Sequence, residues 1–332
     1  MKIIADRNIP FLEGRIAGAE LVRMPAAEID REAVRDADAL IVRTRTRCGA
    51  WLLEGSRVRV VATATIGTDH IDIPWCESHG ITVRNAPGCN APGVALYAWA
   101  SLLRNGFDPK KDTLGVIGHG HVGSIVAQWG KRLGARVLVN DPPREEAGFK
   151  DVEYVSLEEV LTQSDAITLH TPLTRSGNYP TFHLIGEREI EMMRQGVTLV
   201  NAARGEVIDT ASVVKAIKTG KTGKAIIDTW EGEPKLNPEL LKLADVATPH
   251  IAGYSIEGKQ RATRMALEAV GETLGIQADV SGLAGPYREP DVMDADAIIA
   301  AYNPAEMTLA LRQNPSEFER LRNGYRLHKE YC

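Results

Sequence analysis

The sequence predicts an α/β protein of two parallel-sheet domains with a small C-terminal appendage. Three observations lead there. Short apolar runs rich in β-branched residues alternate with helical patterns through residues 1–90 and again from Thr113 to about residue 250, as expected of βαβ units. A glycine-rich turn, Gly118-His119-Gly120-His121-Val122-Gly123, sits where one strand gives way to a helix. From Asp279 the strands stop, and Gly282, Gly285, Pro286, Pro290, Pro304 and Pro315 interrupt the pattern. The length of 332 residues fits two domains at ~150 residues each.

Met1–Ala5 opens the chain as a buried strand, followed by a polar, partly helical stretch. Ala37–Val42, Val58–Thr65 and Ile81–Val83 supply further strands. Pro87-Gly88 breaks the chain, and Val94–Leu103 has the apolar density of a buried helix. The second series places strands at Thr113–Ile117, Arg136–Asn140, Ala166–His170, Thr198–Asn201, Ala225–Asp228 and Val246–Thr248. Helices such as Val122–Leu133 and Ala211–Thr219 separate them. Glu257–Leu274 reads as one long helix stopped by Gly275. In the tail, Glu317–Arg322 reads as the start of a helix.

Apolar residues make up 44% and charged residues 25%, an ordinary globular balance. The net charge of −5 argues against nucleic acid as a partner. No run approaches the ~18 apolar residues of a membrane span. Met1–Asp6 reaches a carboxylate too early for a signal peptide. Cys48, Cys76, Cys89 and Cys332 form no CxxC pair and lack zinc-ligand spacing with histidine. No metal site and no disulfide framework is expected, and the cytoplasm is the expected compartment.

The glycine-rich turn follows the strand Leu114–Ile117 and opens a helix, the context a dinucleotide fingerprint requires. Gly118 permits the tight turn, Gly120 lets backbone approach a pyrophosphate, and Gly123 lets the helix pack on the strand. His121 and Val122 open the helix whose N-terminus would face the phosphates. The next strand ends at Asp141, about 20 residues on, where a carboxylate accepts ribose hydroxyls and repels a 2′-phosphate. NAD is therefore expected as cofactor rather than NADP, with Arg144 the one neighbour that softens the preference. Both domains are expected to be Rossmann-like or flavodoxin-like.

Three later stretches carry chemistry: Asn201-Ala202-Ala203-Arg204-Gly205, Asp228-Thr229-Trp230-Glu231-Gly232-Glu233-Pro234 and Thr248-Pro249-His250-Ile251-Ala252-Gly253-Tyr254. Each follows a strand, and open α/β sheets bind ligands beyond the carboxyl ends of their strands. An arginine fork grips a carboxylate bidentately, a histidine takes a hydroxyl proton near neutral pH, and a carboxylate beside it favours the imidazolium. Singly, each also reads as a solvated loop residue. Together they suit hydride removal from a 2-hydroxy acid.

The ordered set GHGHVG, NAARG, DTWEGEP and TPHIAGY resembles the D-isomer-specific 2-hydroxyacid dehydrogenases over about residues 1–275. The resemblance implies that Arg204 binds substrate, His250 exchanges the proton and Glu233 supports it. It also implies that Asp141, Thr171, Asp228 and Gly253 touch NAD. By the same resemblance, residues 1–92 and 250–275 form the substrate domain, 93–249 the NAD domain, and 276–332 a shortened dimerisation segment.

The substrate is narrowed by Val42-Arg43-Thr44-Arg45-Thr46-Arg47. In an extended chain Arg43, Arg45 and Arg47 share one face, and three guanidinium groups there suggest a second anion, a phosphate. A solvated basic edge is the alternative. Further stretches, among them Ala62–His70 and Ala86–Ala91, resemble the branch of the family that oxidises a phosphorylated four-carbon sugar acid for pyridoxal 5′-phosphate synthesis. That resemblance implies substrate contacts from Thr44, Thr65 and Tyr254, and a homodimer. A small phosphorylated 2-hydroxy acid is the expected ligand. A phosphoglycerate dehydrogenase, and an NAD-sensing regulator on the same fold, stay open at this point.

Overall fold

The computed structural model describes residues 1–331; Cys332 lies outside them. Two units form along the chain, residues 1–90 with 255–287 and residues 91–254 with 288–331. The first carries five parallel strands, β1 (Lys2–Asp6), β2 (Glu20–Met24), β3 (Ala39–Val42), β4 (Val60–Thr63) and β5 (Thr82–Arg84), in the order β2-β1-β3-β4-β5. This is the flavodoxin-like order, whose reversal point lies between β1 and β3. β2 falls within the stretch expected to be partly helical. It is a half-exposed edge strand, paired in parallel with β1 from Glu20 to Met24, and half-exposure blurs the apolar alternation that marks a strand. The helix Ile256–Leu274 covers this sheet through Ala262, Ala266, Leu267, Val270 and Leu274. Gly275, at φ +68°, ends it in the left-handed conformation.

The second unit carries β6 (Thr113–Ile117), β7 (Arg136–Asn140), β8 (Ala166–Leu169), β9 (Val197–Asn201), β10 (Thr222–Ile227) and β11 (Val246–Ala247). They run parallel in the order β11-β10-β9-β8-β6-β7. A single parallel bridge, Val139 to Tyr154, extends the sheet beyond β7. With it the order becomes that of a dinucleotide-binding sheet, reversing between β6 and β8. The helix Ala91–Arg104 is buried from Ala91 to Leu102, and the Trp99 indole N–H donates to the Val126 carbonyl at 3.0 Å.

The tail that reads as one appendage divides. Residues 276–287 belong to the first unit, where Ala278 bridges Ile16 and the Arg15 guanidinium donates to the Asp279 and Ser281 carbonyls at 3.0 and 2.9 Å. Residues 288–331 belong to the second, where Leu311 and Phe318 enter its core. There Thr308 Oγ1 accepts the Ala247 N–H at 3.1 Å, closing part of the β11 edge. No helix among the described residues is long and apolar enough to cross a membrane.

Candidate active site

The glycine turn after β6 has the shape a pyrophosphate needs. Gly118 has φ +90°, and a Cβ there would lie 2.7 Å from the His170 carbonyl oxygen. A Cβ on Gly123 would lie 1.9 Å from the Gly118 oxygen, so helix and turn meet only without side chains. Gly120 instead faces open space and caps the helix His121–Leu133 with no side-chain hydrogen bond, leaving first-turn N–H groups for a ligand. His121 is exposed and Val122 half-buried at that end. Across the reversal point, Thr171 Oγ1 is buried with no hydrogen-bond partner, the mark of a group awaiting one. Asp141 ends β7 half-buried. Its Oδ2 accepts the His119 N–H at 2.7 Å and its Oδ1 the Arg144 N–H at 3.1 Å, each oxygen keeping a second lone pair for a hydroxyl. These residues fit NAD.

Arg204, Glu233 and His250 sit on the loops after β9, β10 and β11. Asn201, fully buried, accepts the Ala203 N–H at 3.2 Å and donates to the Arg204 carbonyl at 3.0 Å, which sets the loop carrying Arg204. Gly205 lets that loop cross the next: a Cβ there would lie 2.0 Å from the Trp230 carbonyl carbon. Trp230 is buried, its indole N–H held by the Thr248 carbonyl at 2.9 Å. Glu233 Oε2 accepts the Trp230 N–H at 3.3 Å, and Oε1 meets His250 Nδ1 at 2.6 Å. Burial pushes the Glu233 carboxyl up, but the His250 hydrogen bond and the charges of His250 and Arg322 outweigh it and hold the group below its usual range.

His250 has φ +56°, a conformation side chains rarely adopt. Its surroundings impose it. The His250 N–H reaches the Asp228 carbonyl at 2.9 Å, and the Asp228 carboxylate accepts Thr248 Oγ1 at 2.6 Å, the Ile251 N–H at 2.8 Å and the Ala252 N–H at 3.0 Å. Asp228 is 1% exposed, so its carboxylate serves the loop under His250. That role could not be read from spacing, because its partners lie on the next strand's loop. Gly253 follows half-buried, and the Tyr254 ring stands 6.4 Å from the Tyr325 ring with the Arg322 guanidinium 6.0 Å above it.

In the first unit the expectation for the basic stretch is corrected. β3 ends at Val42, and the Thr46 N–H donates back to the Arg43 carbonyl at 3.1 Å. The chain turns, and Arg43, Arg45 and Arg47 share no extended face. Arg43 is tied to the fully buried Asp6, Nε to Oδ2 at 3.1 Å, beside the β1–β3 reversal point. Thr44, Arg45 and Arg47 are exposed. Thr65 Oγ1 contacts Thr63 Oγ1 at 2.7 Å, and Thr63 Oγ1 contacts His70 Nε2 at 3.1 Å.

One pair escaped the sequence reading. His183 Nε2 meets Glu231 Oε1 at 2.7 Å, and the His183 N–H reaches the Glu206 carbonyl at 2.7 Å, bracing the Arg204 loop to the Glu233 loop. Its signal was Glu231 itself, the second carboxylate of the same motif.

Residues 94–252 match the model of the D-isomer specific 2-hydroxyacid dehydrogenase NAD-binding domain. An erythronate-4-phosphate dehydrogenase of Bacteroides thetaiotaomicron is 43% identical, over 99% of this chain and 97% of the relative. The chain belongs to the D-isomer-specific 2-hydroxyacid dehydrogenases. An erythronate-4-phosphate dehydrogenase of Pseudomonas fluorescens is 45% identical to this dehydrogenase, over 84% of this chain and 74% of the relative. Among solved structures, a D-lactate dehydrogenase of Aquifex aeolicus complexed with NAD and lactic acid superposes with a TM-score of 0.67 at 26% identity, covering 86% of this chain and all of that one, 100%. The dehydrogenase is thus an NAD-dependent oxidoreductase.

Proposed function

We propose that this dehydrogenase oxidises 4-phospho-D-erythronate at its 2-hydroxyl to 2-oxo-3-hydroxy-4-phosphobutanoate, a step of pyridoxal 5′-phosphate synthesis, as a cytoplasmic homodimer. The observation that carries the chemistry is the His250–Glu233 pair at 2.6 Å. With Nδ1 engaged by Glu233, Nε2 keeps the lone pair and is the base that takes the hydroxyl proton. Glu233, held as a carboxylate, stabilises the imidazolium that results. Arg204 holds the substrate carboxylate in a bidentate grip. Bound NAD supplies the hydride acceptor for the hydrogen on C2; as that C–H bond and the O–H bond break, the carbonyl forms. The 43% identity along nearly the whole chain to a relative named for erythronate 4-phosphate supports the substrate. Arg45, Arg47 and Thr44 on the exposed turn, with Thr65 and Tyr254, are the proposed substrate contacts.

The test offers 4-phospho-D-erythronate and 3-phosphoglycerate side by side with NAD and a 2-oxo acid acceptor, following consumption of each. A preference of about a hundredfold or more in kcat/KM for phosphoerythronate is expected, the scale of a site built around a polar group its rival misplaces. Preference for phosphoglycerate would overturn the substrate and leave the chemistry in place.

A further inference from the structure

Arg144 lies one turn beyond Asp141, on the short helix Pro142–Glu146 whose cap is the Asp141 carboxylate. A guanidinium beside the ribose-binding carboxylate is the group that would attract a 2′-phosphate. Here it is occupied. Its Nε donates to Tyr154 Oη at 3.2 Å, one terminal nitrogen reaches Asp151 Oδ2 at 3.2 Å, and its flat face lies 3.9 Å over the Phe149 ring. The Tyr154 hydroxyl in turn donates to Asp151 Oδ1 at 3.1 Å.

The clamp is anchored at both ends. Tyr154 is bridged to Val139 of β7, the Val155 N–H donates to the Val139 carbonyl at 2.9 Å, and the Asn140 side chain donates to the Val155 carbonyl at 2.7 Å. His119 closes a ring of side chains. Its N–H binds Asp141, and its Nδ1 lies 3.3 Å from Tyr154 Oη and 3.5 Å from Asp151 Oδ2. Burial pulls the His119 pKa down, so at pH 7 the ring holds two carboxylates against one guanidinium.

We infer that Asp151 and Tyr154 determine cofactor choice by holding Arg144 away from the ribose 2′-position, so that Asp141 is not the sole discriminator against NADP. The inference concerns the cofactor alone and is independent of the substrate proposed above. With the clamp removed, Arg144 gains freedom to pair with a 2′-phosphate while the local charge rises by one.

The test titrates NADH and NADPH onto the intact protein by fluorescence, with no substrate present. Asp151→Asn is expected to lower the ratio of NADPH to NADH dissociation constants about tenfold, the scale of one charge-assisted contact near a surface. Tyr154→Phe, which keeps the charge and removes one grip, is expected to lower it about two- to threefold, as for a single neutral hydrogen bond. Arg144→Gln added to Asp151→Asn is expected to abolish the gain, since coupled residues depart from additivity. An unchanged ratio in both single variants, or a gain that survives loss of Arg144, would overturn the inference.

Discussion

The loops after β9, β10 and β11 differ in kind from the turn after β3. In the former, Asn201, Asp228, Trp230 and Thr248 are buried and their hydrogen bonds fix the backbone under Arg204 and His250. In the latter, Arg43 is tied to the buried Asp6, while Thr44, Arg45 and Arg47 are exposed. On the proposed function the two regions do different jobs. Proton transfer needs groups held in place within fractions of an ångström, whereas selection among small acids tolerates adaptable side chains on an exposed turn.

Asp228→Ala is the strongest way to break that contrast. It leaves the buried Ile251 and Ala252 N–H groups unpaired at about 1–3 kcal/mol each before relaxation, and it frees the backbone that holds His250 at positive φ. A fall in Tm with loss of most turnover is expected, read by thermal melting and initial rates. Wild-type rates would show that the loop holds without its carboxylate.

Glu233→Gln tests the pair more finely. The Glu233 carboxyl is depressed from its ordinary 4.5, so its pairing contributes stability that is complete above that value and lost as pH falls through the lower folded value. The stability gap between wild type and Glu233→Gln should therefore be widest near neutrality and shrink below about pH 4. Turnover should fall about tenfold or more with loss of a charged hydrogen bond. A gap that grows on acidification would contradict the pairing.

The smallest effects sharpen the contrast within the basic turn. Arg43→Gln leaves the buried Asp6 without its cation and should cost about 2 kcal/mol, less than the ~3–5 of a fully buried pair because Arg43 reaches solvent. Arg47→Gln should leave Tm in place and raise KM for a phosphorylated acid several-fold, as expected of an exposed charge. Equal Tm losses in the two variants would erase the distinction.

The second sheet was legible almost strand by strand, because its buried strands are continuous apolar runs bounded by turns. The fingerprint glycines and the Arg204, Glu233 and His250 loops were legible because each follows such a strand. What escaped depends on contacts between distant residues. β2 is an edge strand with one face in solvent. Arg43 is turned by Asp6, 37 positions earlier, and no periodicity reports such a tie. The hydrogen bonds of Asp228 to Thr248, Ile251 and Ala252 could not be read from periodicity, because those partners lie some 20 residues on. The contacts of Arg144 sit beyond the edge strand β7, in a segment that joins the sheet by one bridge.

The most direct measurement is turnover of His250→Asn with 4-phospho-D-erythronate, beside a titration of NADH onto the same protein. Loss of turnover by about 10²–10⁴, the worth of one general base, with NADH binding preserved, is the predicted result. Near-normal turnover would take His250 out of the proton transfer and contradict the assignment of the His250–Glu233 pair.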